Sequence, residues 1–204
     1  ANPETGARNV VDDVSFTVHR GEIVGIAGVE GNGQSELVKA IVGLTRGARI
    51  TGQALFEGRE LLTMPEAQLR DIRGRGIAMI FQNPMSSLHP LYPVGWQIVE
   101  MIRAHEPVPR ARAHARAIEL LGHVGIPRPE RRVNDYPHQY SGGMQQRAMI
   151  AMAIALNPRI LVADEPTTAL DVTVQAQILR LLRRLQEEHG TAIVMITHDL
   201  GVVA

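Results

Sequence analysis

The sequence predicts an α/β fold with a mainly parallel sheet. Apolar runs of strand length stand at 21–28, 76–82, 159–166 and 191–197. Apolar residues at helical spacing stand at 35–44, 144–156 and 172–190. Because strands that alternate with helices are typical of a parallel sheet covered by helices, these runs are expected to form one sheet. A further strand is expected at 14–18.

The middle of the chain carries no strand signal and is predicted to form a helical insertion. Its pattern is helical from 94 to about 125, with a proline-containing interruption at 106–110. We therefore expect a core built from 1–82 and 147–204, and a helical subdomain at 83–146 between the two parts.

Composition restricts the class of protein. The 204 residues are 45% hydrophobic, which is enough to bury a core, and their formal net charge of zero argues against a nucleic-acid surface. Cysteine is absent, which excludes disulfides and thiolate metal sites and fits a reducing compartment. The longest apolar run, 148–156, is far shorter than the roughly 20 residues that cross a bilayer. With no initiator methionine or secretory leader, a piece of a soluble or membrane-peripheral protein is expected.

The stretch GIAGVEGNGQSEL at 25–37 has the glycine spacing of a phosphate-binding loop. Such a loop needs small residues, so that backbone N–H groups converge on phosphate oxygens, and a helix directly behind it. Gly28, Gly31 and Gly33 meet the first condition, and a helix from Ser35 meets the second. The Ser35 hydroxyl also stands where it would bind Mg²⁺. The same pattern fits an ordinary strand-to-helix turn.

Two acidic residues, Asp164 and Glu165, end the apolar run at 159–166. A buried strand would deliver them to the carboxyl edge of the sheet, where open α/β sheets bind ligands. There Asp164 can hold Mg²⁺ and Glu165 can polarise an attacking water. Acidic pairs are also common in strand-terminal turns, but their position downstream of a phosphate-loop pattern favours the catalytic interpretation.

Longer blocks resemble the nucleotide-binding subunits of ABC transporters. The block at 140–178 is similar to their signature helix, Walker B and D-loop, 79–90 to their Q-loop, and 195–204 to their switch-histidine segment. The sequences of these blocks are most similar to those of the ATPases of dipeptide and oligopeptide importers. The resemblance covers nearly the whole chain. It implies a P-loop NTPase (RecA-like) core with an inserted helical subdomain, and ATP and Mg²⁺ as cofactors.

The resemblance assigns two further residues to hydrolysis beside Glu165. Gln82 would sense the γ-phosphate through Mg²⁺ or water, and His198 would contact the γ-phosphate. The implied Mg²⁺ ligands are then Ser35, Asp164 and Gln82. Read alone, Gln82 and His198 are also ordinary polar residues at strand ends.

The resemblance places other residues at a dimer interface. Ser141, Gly142 and Gly143 match the signature, which would clamp the γ-phosphate of a nucleotide on the opposite subunit. Asp171 would lie at the same interface. A capping turn at 141–143 and an N-cap at Asp171 are the simpler alternatives, and for Asp171 both roles are compatible.

The loop departs from the family pattern at two positions. Gln34 stands where the family has lysine. Glu36 follows Ser35 at the position where the family usually has a hydroxyl residue. The sequence of this loop is similar to the altered loops in the second cassette of sugar-type and nucleoside-type importers. Losing the charge-assisted part of the hydrogen bond costs about 1–2 kcal/mol, or roughly five- to thirtyfold in affinity. Glu36 would add repulsion toward phosphates. The family usually stacks adenine on an aromatic residue near the N-terminus, and only Phe16 precedes Phe56 here.

The sequence thus predicts an ATP-binding and ATP-hydrolysing subunit that powers an ABC importer of peptides, with hydrolysis slowed by Gln34. Expected partners are transmembrane permease subunits and a second ATP-binding subunit, in a homo- or heterodimer at the cytoplasmic face of the membrane, with no nucleic acid. Apolar residues of the insertion are expected either to grip the permease or, more commonly, to pack a helical core. These are Leu88, Leu91, Tyr92 and Trp96.

Two alternatives remain at this stage. One is a non-hydrolysing module that binds nucleotide and supplies its signature to a partner ATPase. The other is an ABC-type ATPase that acts on DNA or in translation. The neutral charge and the lack of coiled-coil, zinc or duplicated-cassette insertions make the second the weaker alternative.

Overall fold

One parallel sheet of four strands organises the protein. The computed structural model describes residues 11–28, 33–43, 50–168 and 170–198. The strands are β1 (Ile23–Ala27), β4 (Ile77–Ile80), β5 (Ile160–Asp164) and β6 (Ala192–Thr197), in the spatial order β1-β6-β5-β4. All three neighbouring pairs are parallel. A separate antiparallel pair is formed by β2 (Leu55–Phe56) and β3 (Arg59–Glu60).

The two central strands are buried on both faces. Every residue of β6 is buried, and so are four of the five residues of β5. Such continuous apolar runs are typical of parallel strands covered by helices on both sides. The register pairs Ala27 with Thr197 and Asp164 with Ile196, so the carboxyl ends of β1, β5 and β6 lie at one edge of the sheet.

Eight helices surround the sheet in the part of the chain that the structure describes. They are α1 (Gln34–Ile41), α2 (Glu66–Ile72), α3 (Pro84–Ser87), α4 (Val94–His105), α5 (Arg110–His123), α6 (Pro129–Arg132), α7 (Gly142–Ile154) and α8 (Val172–His189). A 3₁₀ turn at Pro137–Gln139 precedes α7. None of these helices combines the length and the hydrophobicity needed to cross a membrane.

Two apolar clusters cover opposite faces of the sheet. One packs residues of α4, α5, α7 and α8 against Leu161 and Ile193. The other packs α1, α2 and β2 against the next residue of each strand, Val162 and Val194. Because successive strand side chains point to opposite faces, this alternation places the sheet between two helical layers. The predicted α/β fold is confirmed, with all four described strands of the sheet parallel.

Details of the sequence prediction need correction. The segment 14–18, predicted as a strand, forms none, and its Phe16 is exposed. Helix α2 and the β2-β3 pair were not expected. Helix α7 runs continuously through the expected boundary between 146 and 147, so this boundary does not coincide with a break in secondary structure. The division into core and helical subdomain stays a prediction.

Candidate functional site

A cavity at the carboxyl edge of the sheet gathers most residues of the predicted hydrolysis site. Its lining includes Gly28, Gln34, Ser35, Glu36, Gln82, Glu165 and His198. Three residues that the sequence analysis did not single out, Lys39, Ile196 and Thr197, also line it. Gly31 lies outside the described residues. Because α1 begins at this cavity, its first N–H groups and the positive end of its dipole face the same space.

Glycine starts helix α1 at a position that suits few other residues. Gly33 is the N-cap, with φ +92°, in the left-handed region, and no side chain caps the helix there. Its carbonyl accepts a 2.8 Å hydrogen bond from the Leu37 N–H. Among the described residues no side chain caps this helix start, and a phosphate-binding loop uses the N–H groups of such a first turn to bind an anion.

Gln34 packs directly against Gly28. A Cβ atom added to Gly28 would overlap the side-chain amide of Gln34. Any larger residue at position 28 would displace the Gln34 side chain, and the close approach places a neutral amide at the point where β1 leads into the loop. Where the family resemblance predicts a lysine, Gln34 therefore contributes a polar group but no charge to the cavity.

The Ser35 hydroxyl donates a 2.7 Å hydrogen bond to Oδ1 of Asp164. Asp164 is only 2% exposed, and this burial raises the pKa of its carboxyl group. The Ser35 hydrogen bond and the charge of Lys39 act against that increase in pKa, whereas Glu165 and Glu36 add to it. A hydroxyl and a buried carboxylate side by side are ligands that Mg²⁺ prefers, and the excess of negative charge favours a cation there.

Glu165 is fixed by its backbone and by three neighbouring groups. Its φ of +46° is left-handed, and its N–H donates a 3.0 Å hydrogen bond to the Ile196 carbonyl. Its Oε2 accepts from Gln82 Nε2 at 2.9 Å and from Thr168 Oγ1 at 2.8 Å. His198 Nδ1 lies 3.3 Å from Oε1. Non-glycine residues in this strained conformation cluster at functional sites, and here it directs the carboxylate into the cavity.

The predicted signature residues do not line this cavity. Ser141 is the N-cap of α7, and its hydroxyl accepts a 3.4 Å hydrogen bond from the Met144 N–H. A Cβ added to Gly142 would meet open space, whereas one added to Gly143 would lie 2.9 Å from Val174 Cγ1. The capping turn expected as the simpler reading is confirmed. The role of these residues toward a second subunit stays a prediction.

Asp171 caps helix α8. Its Oδ1 accepts hydrogen bonds from the N–H groups of Thr173 at 3.1 Å and Val174 at 3.0 Å. The N-cap expected for Asp171 is confirmed, and its place at a dimer interface stays a prediction. The adjacent Val172 is 81% exposed.

The apolar residues of the helical segment divide between core and surface. Leu88 is buried at 2% exposure, as a core residue would be. Leu91, by contrast, is 75% exposed. Tyr92 is also exposed and stacks on Trp96, with ring centroids 4.2 Å apart. The exposed part of this set is the part that a protein partner could contact.

The sequence analysis missed Lys39 and Thr168 as site residues. Lys39 lies four positions after Ser35 on α1, so both are on one face of the helix and the long side chain leans toward the helix N-terminus. That spacing was a usable signal. Thr168 carried none, because its contact with Glu165 depends on the course of the turn after β5.

Comparisons with known proteins agree with this geometry. Residues 11–168 match a family model described as ABC transporter. A probable peptide ABC transporter ATP-binding protein of Sinorhizobium fredii is 52% identical, over 98% of this chain and 61% of that protein. The oligopeptide transport ATP-binding protein OppD of Salmonella typhimurium is 49% identical, over 100% of this chain and 61% of its own length. The dipeptide transport ATP-binding protein DppD of Escherichia coli is 50% identical, over 98% and 62%.

Solved structures show the same relationship. The dimeric structure of an ATP-binding cassette in a post-hydrolysis state, bound to ADP and Pi, is 32% identical with a TM-score of 0.83. That comparison covers 95% of this chain and 82% of the cassette. The chain spans about three fifths of the length of the curated relatives named above. By the match of its family model and by its fold, the chain belongs to the ABC transporter family.

Proposed function

We propose that this chain is the ATP-binding and ATP-hydrolysing part of an importer of peptides. The observation that carries the proposal is the fixed carboxylate of Glu165, held between Gln82 and Thr168 with His198 beside it. Such an oriented carboxylate next to a phosphate-type loop suits the positioning of a water for in-line attack. The similarity to peptide, oligopeptide and dipeptide transport ATP-binding proteins supports peptides as the substrate class.

The residues of the cavity fit Mg²⁺ and a nucleotide. Ser35 Oγ and Asp164 Oδ1 are adjacent oxygen ligands, and Gln82 offers an amide beside them. When bound, Mg²⁺ would neutralise charge on the phosphates. The N-terminal N–H groups of α1 would hold the phosphate oxygens, and Glu165 Oε1 would accept the proton of the attacking water.

Gln34 is proposed to slow hydrolysis more than it weakens binding. A neutral amide can still donate a hydrogen bond to a phosphate oxygen, but it adds no positive charge as negative charge develops on the transferring group. The exposed Glu36 in the first turn of α1 acts in the same direction by repelling phosphate. The retained Gln82, Asp164, Glu165 and His198 argue that hydrolysis is slowed and not lost.

Two variants test this proposal. Calorimetric titration of Mg²⁺-ATP is expected to show binding to the wild type, roughly five- to thirtyfold weaker than to Gln34→Lys. Turnover should rise by a larger factor in Gln34→Lys and be lost in Glu165→Gln, which keeps the shape of the side chain. Equal turnover of the wild type and Gln34→Lys would contradict slowed hydrolysis. Failure of both to bind Mg²⁺-ATP would overturn the nucleotide site.

Gln34 also favours a second candidate, the non-hydrolysing module that lends Ser141, Gly142 and Gly143 to a partner ATPase. A mixed dimer carrying Glu165→Gln in this chain alone distinguishes the two. Loss of about half of the turnover or more supports hydrolysis in this chain. Unchanged turnover supports the module.

The proposed partners are a second ATP-binding subunit and the transmembrane subunits of a permease, at the cytoplasmic face of the membrane. The exposed Val172, next to Asp171 at the start of α8, offers a surface for the second ATP-binding subunit. The exposed Leu91 and Tyr92 offer one for the permease subunits. Co-purification of the chain with permease subunits, lost in Leu91→Asp, tests the second contact.

A further inference from the structure

Two helices end side by side far from the nucleotide cavity, and their last residues form a cluster of metal-ligand type. His123 is the last residue of α5, and Glu188 and His189 are the last two of α8. One ligand atom from each of the three lies within 4.8 Å of the other two. None of these residues lines the nucleotide cavity.

The Nε2 atom of His123 is buried, and none of the described residues forms a hydrogen bond with it. Glu188 Oε2 is 3.2 Å away, but this contact does not have the geometry of a hydrogen bond. A buried polar atom of this kind requires an explanation, and a bound cation shared with the carboxylate is one.

The donor set matches one class of ion. Two imidazoles and one carboxylate are the ligands of Zn²⁺ in sites that keep a water as the fourth ligand. Donor atoms around tetrahedral Zn²⁺ lie roughly 3.4 Å apart at bond lengths of about 2.0–2.2 Å. Rotation of the exposed Glu188 and His189 side chains would have to bring the ligand atoms, now within 4.8 Å, to this spacing. Mg²⁺ and Ca²⁺ prefer oxygen and are disfavoured by the imidazoles.

Arg184 prepares the carboxylate for this role. Its Nε lies 3.8 Å from Oε1 of Glu188, which leaves Oε2 on the side of His123. Its Nη2 donates a hydrogen bond to the backbone carbonyl of His123, so the same side chain also joins the ends of α5 and α8. Outer groups that orient ligands in this way are a regular part of metal sites.

We propose that His123, Glu188 and His189 form a Zn²⁺ site that links the carboxyl ends of α5 and α8. The site is independent of the nucleotide cavity and of the proposed ATPase activity. Since Zn²⁺ would bind the folded arrangement, it would also raise the melting temperature of the protein.

The test is a titration of Zn²⁺ against a chromophoric competitor, with the whole chain in excess Mg²⁺ so that the carboxylates of the nucleotide cavity are occupied. We expect one Zn²⁺ per chain and at least a tenfold weaker affinity in His123→Ala and in His189→Ala. His138→Ala is the matched control, because His138 is exposed and lies outside the cluster. Its affinity for Zn²⁺ should equal that of the wild type.

Co²⁺ provides a second measurement that does not depend on affinity alone. Substitution of Co²⁺ should give the strong visible absorption of a four-coordinate site, and the two cluster variants should lose it. No saturable Zn²⁺ binding, or equal binding by the wild type and both cluster variants, would overturn the proposal. The affected side chains are at least partly exposed at helix ends, so both variants should fold, and circular dichroism checks this.

Discussion

The Ser35 hydroxyl donates a 2.7 Å hydrogen bond to the Asp164 carboxylate, joining the first turn of α1 to the end of β5 across 129 positions of sequence. The acceptor is almost completely buried, and burial raises its pKa. An ionised carboxylate in this position opposes folding unless a cation compensates for it. The same group that suits Mg²⁺ is therefore a source of instability in the nucleotide-free protein.

Asp164→Asn should stabilise the nucleotide-free protein at neutral pH and abolish Mg²⁺-dependent nucleotide binding. Asparagine keeps an oxygen for the Ser35 hydroxyl but carries no charge. The folded-state pKa of Asp164 is raised above its usual value, so the wild type loses stability as pH rises through the interval between these two values. The stability difference between Asp164→Asn and the wild type should thus grow with pH over that interval.

Urea unfolding of both proteins at several pH values measures this difference. A variant less stable than the wild type at neutral pH, without Mg²⁺, would show that the carboxylate contributes a favourable interaction that outweighs its burial. Addition of Mg²⁺-ATP should reverse the order, since only the wild type gains stability from the ligand.

Removing the Thr168 hydroxyl should lower the ATP turnover of the assembled transporter. Thr168→Val keeps the shape of the side chain but leaves Oε2 of Glu165 with Gln82 as its side-chain donor. A lost hydrogen bond of about 1 kcal/mol corresponds to roughly a fivefold decrease in kcat, with a smaller change in KM for ATP. Thr168→Ser keeps the hydroxyl and should restore turnover. Equal kcat for the Val and Ser variants would exclude a positioning role.

The two signature glycines should respond differently to alanine. A Cβ on Gly143 would lie 2.9 Å from Val174 Cγ1, so Gly143→Ala should destabilise the chain by about 1–2 kcal/mol. Gly142 has open space, and Gly142→Ala should stabilise it by roughly 0.5 kcal/mol. Chemical denaturation measures both changes. Val174→Ala should rescue Gly143→Ala, and failure to do so would rule out this steric cause.

A stable Gly142→Ala variant also tests the predicted dimer contact. If Gly142 faces a nucleotide on a second subunit, a methyl group there should lower turnover of the assembled dimer although the isolated chain is more stable. Full turnover would mean that the open space beside Gly142 stays open in the dimer.

Lys39 should compensate in part for the missing loop lysine. Its charge lowers the pKa of Asp164, and its side chain lines the cavity with Gln34. Lys39→Gln should weaken Mg²⁺-ATP binding by about five- to tenfold, and by less in the Gln34→Lys background, where another cation is present. Calorimetry on the wild type, the two single variants and the double variant measures the coupling free energy between positions 34 and 39. Equal effects in both backgrounds would show that Lys39 acts independently of position 34.

The parallel sheet and the positions of its site residues could be predicted from the sequence. The strands β5 and β6 are short, continuous apolar runs with clear ends, and a predicted site residue stands at or directly after each end, Asp164 or His198. Because parallel strands share a carboxyl edge, the convergence of these side chains follows from the sheet alone. The structure agrees with this expectation, since Gln82 and His198 both lie in close contact with Glu165.

Elements whose order depends on tertiary contacts could not be predicted. The β2-β3 pair has two residues in each strand and is held by the packing of Phe56 in the cluster around Val162 and Val194. The run at 14–18 has strand-like composition but pairs with none of the strands that the structure describes. Composition reports which residues favour a strand, and it cannot report whether a neighbouring strand is available.

The register of β1 with β6 has a consequence for the order in which the protein is built. Ile23 pairs with Ile193, so β1 acquires this neighbour only after the whole segment between the two strands has been synthesised. Contacts between such distant positions form slowly and leave an unpaired strand exposed in the meantime. Gly28 and helix α1, which follow β1, are thus expected to reach their final positions late, and nucleotide binding should report the completion of folding.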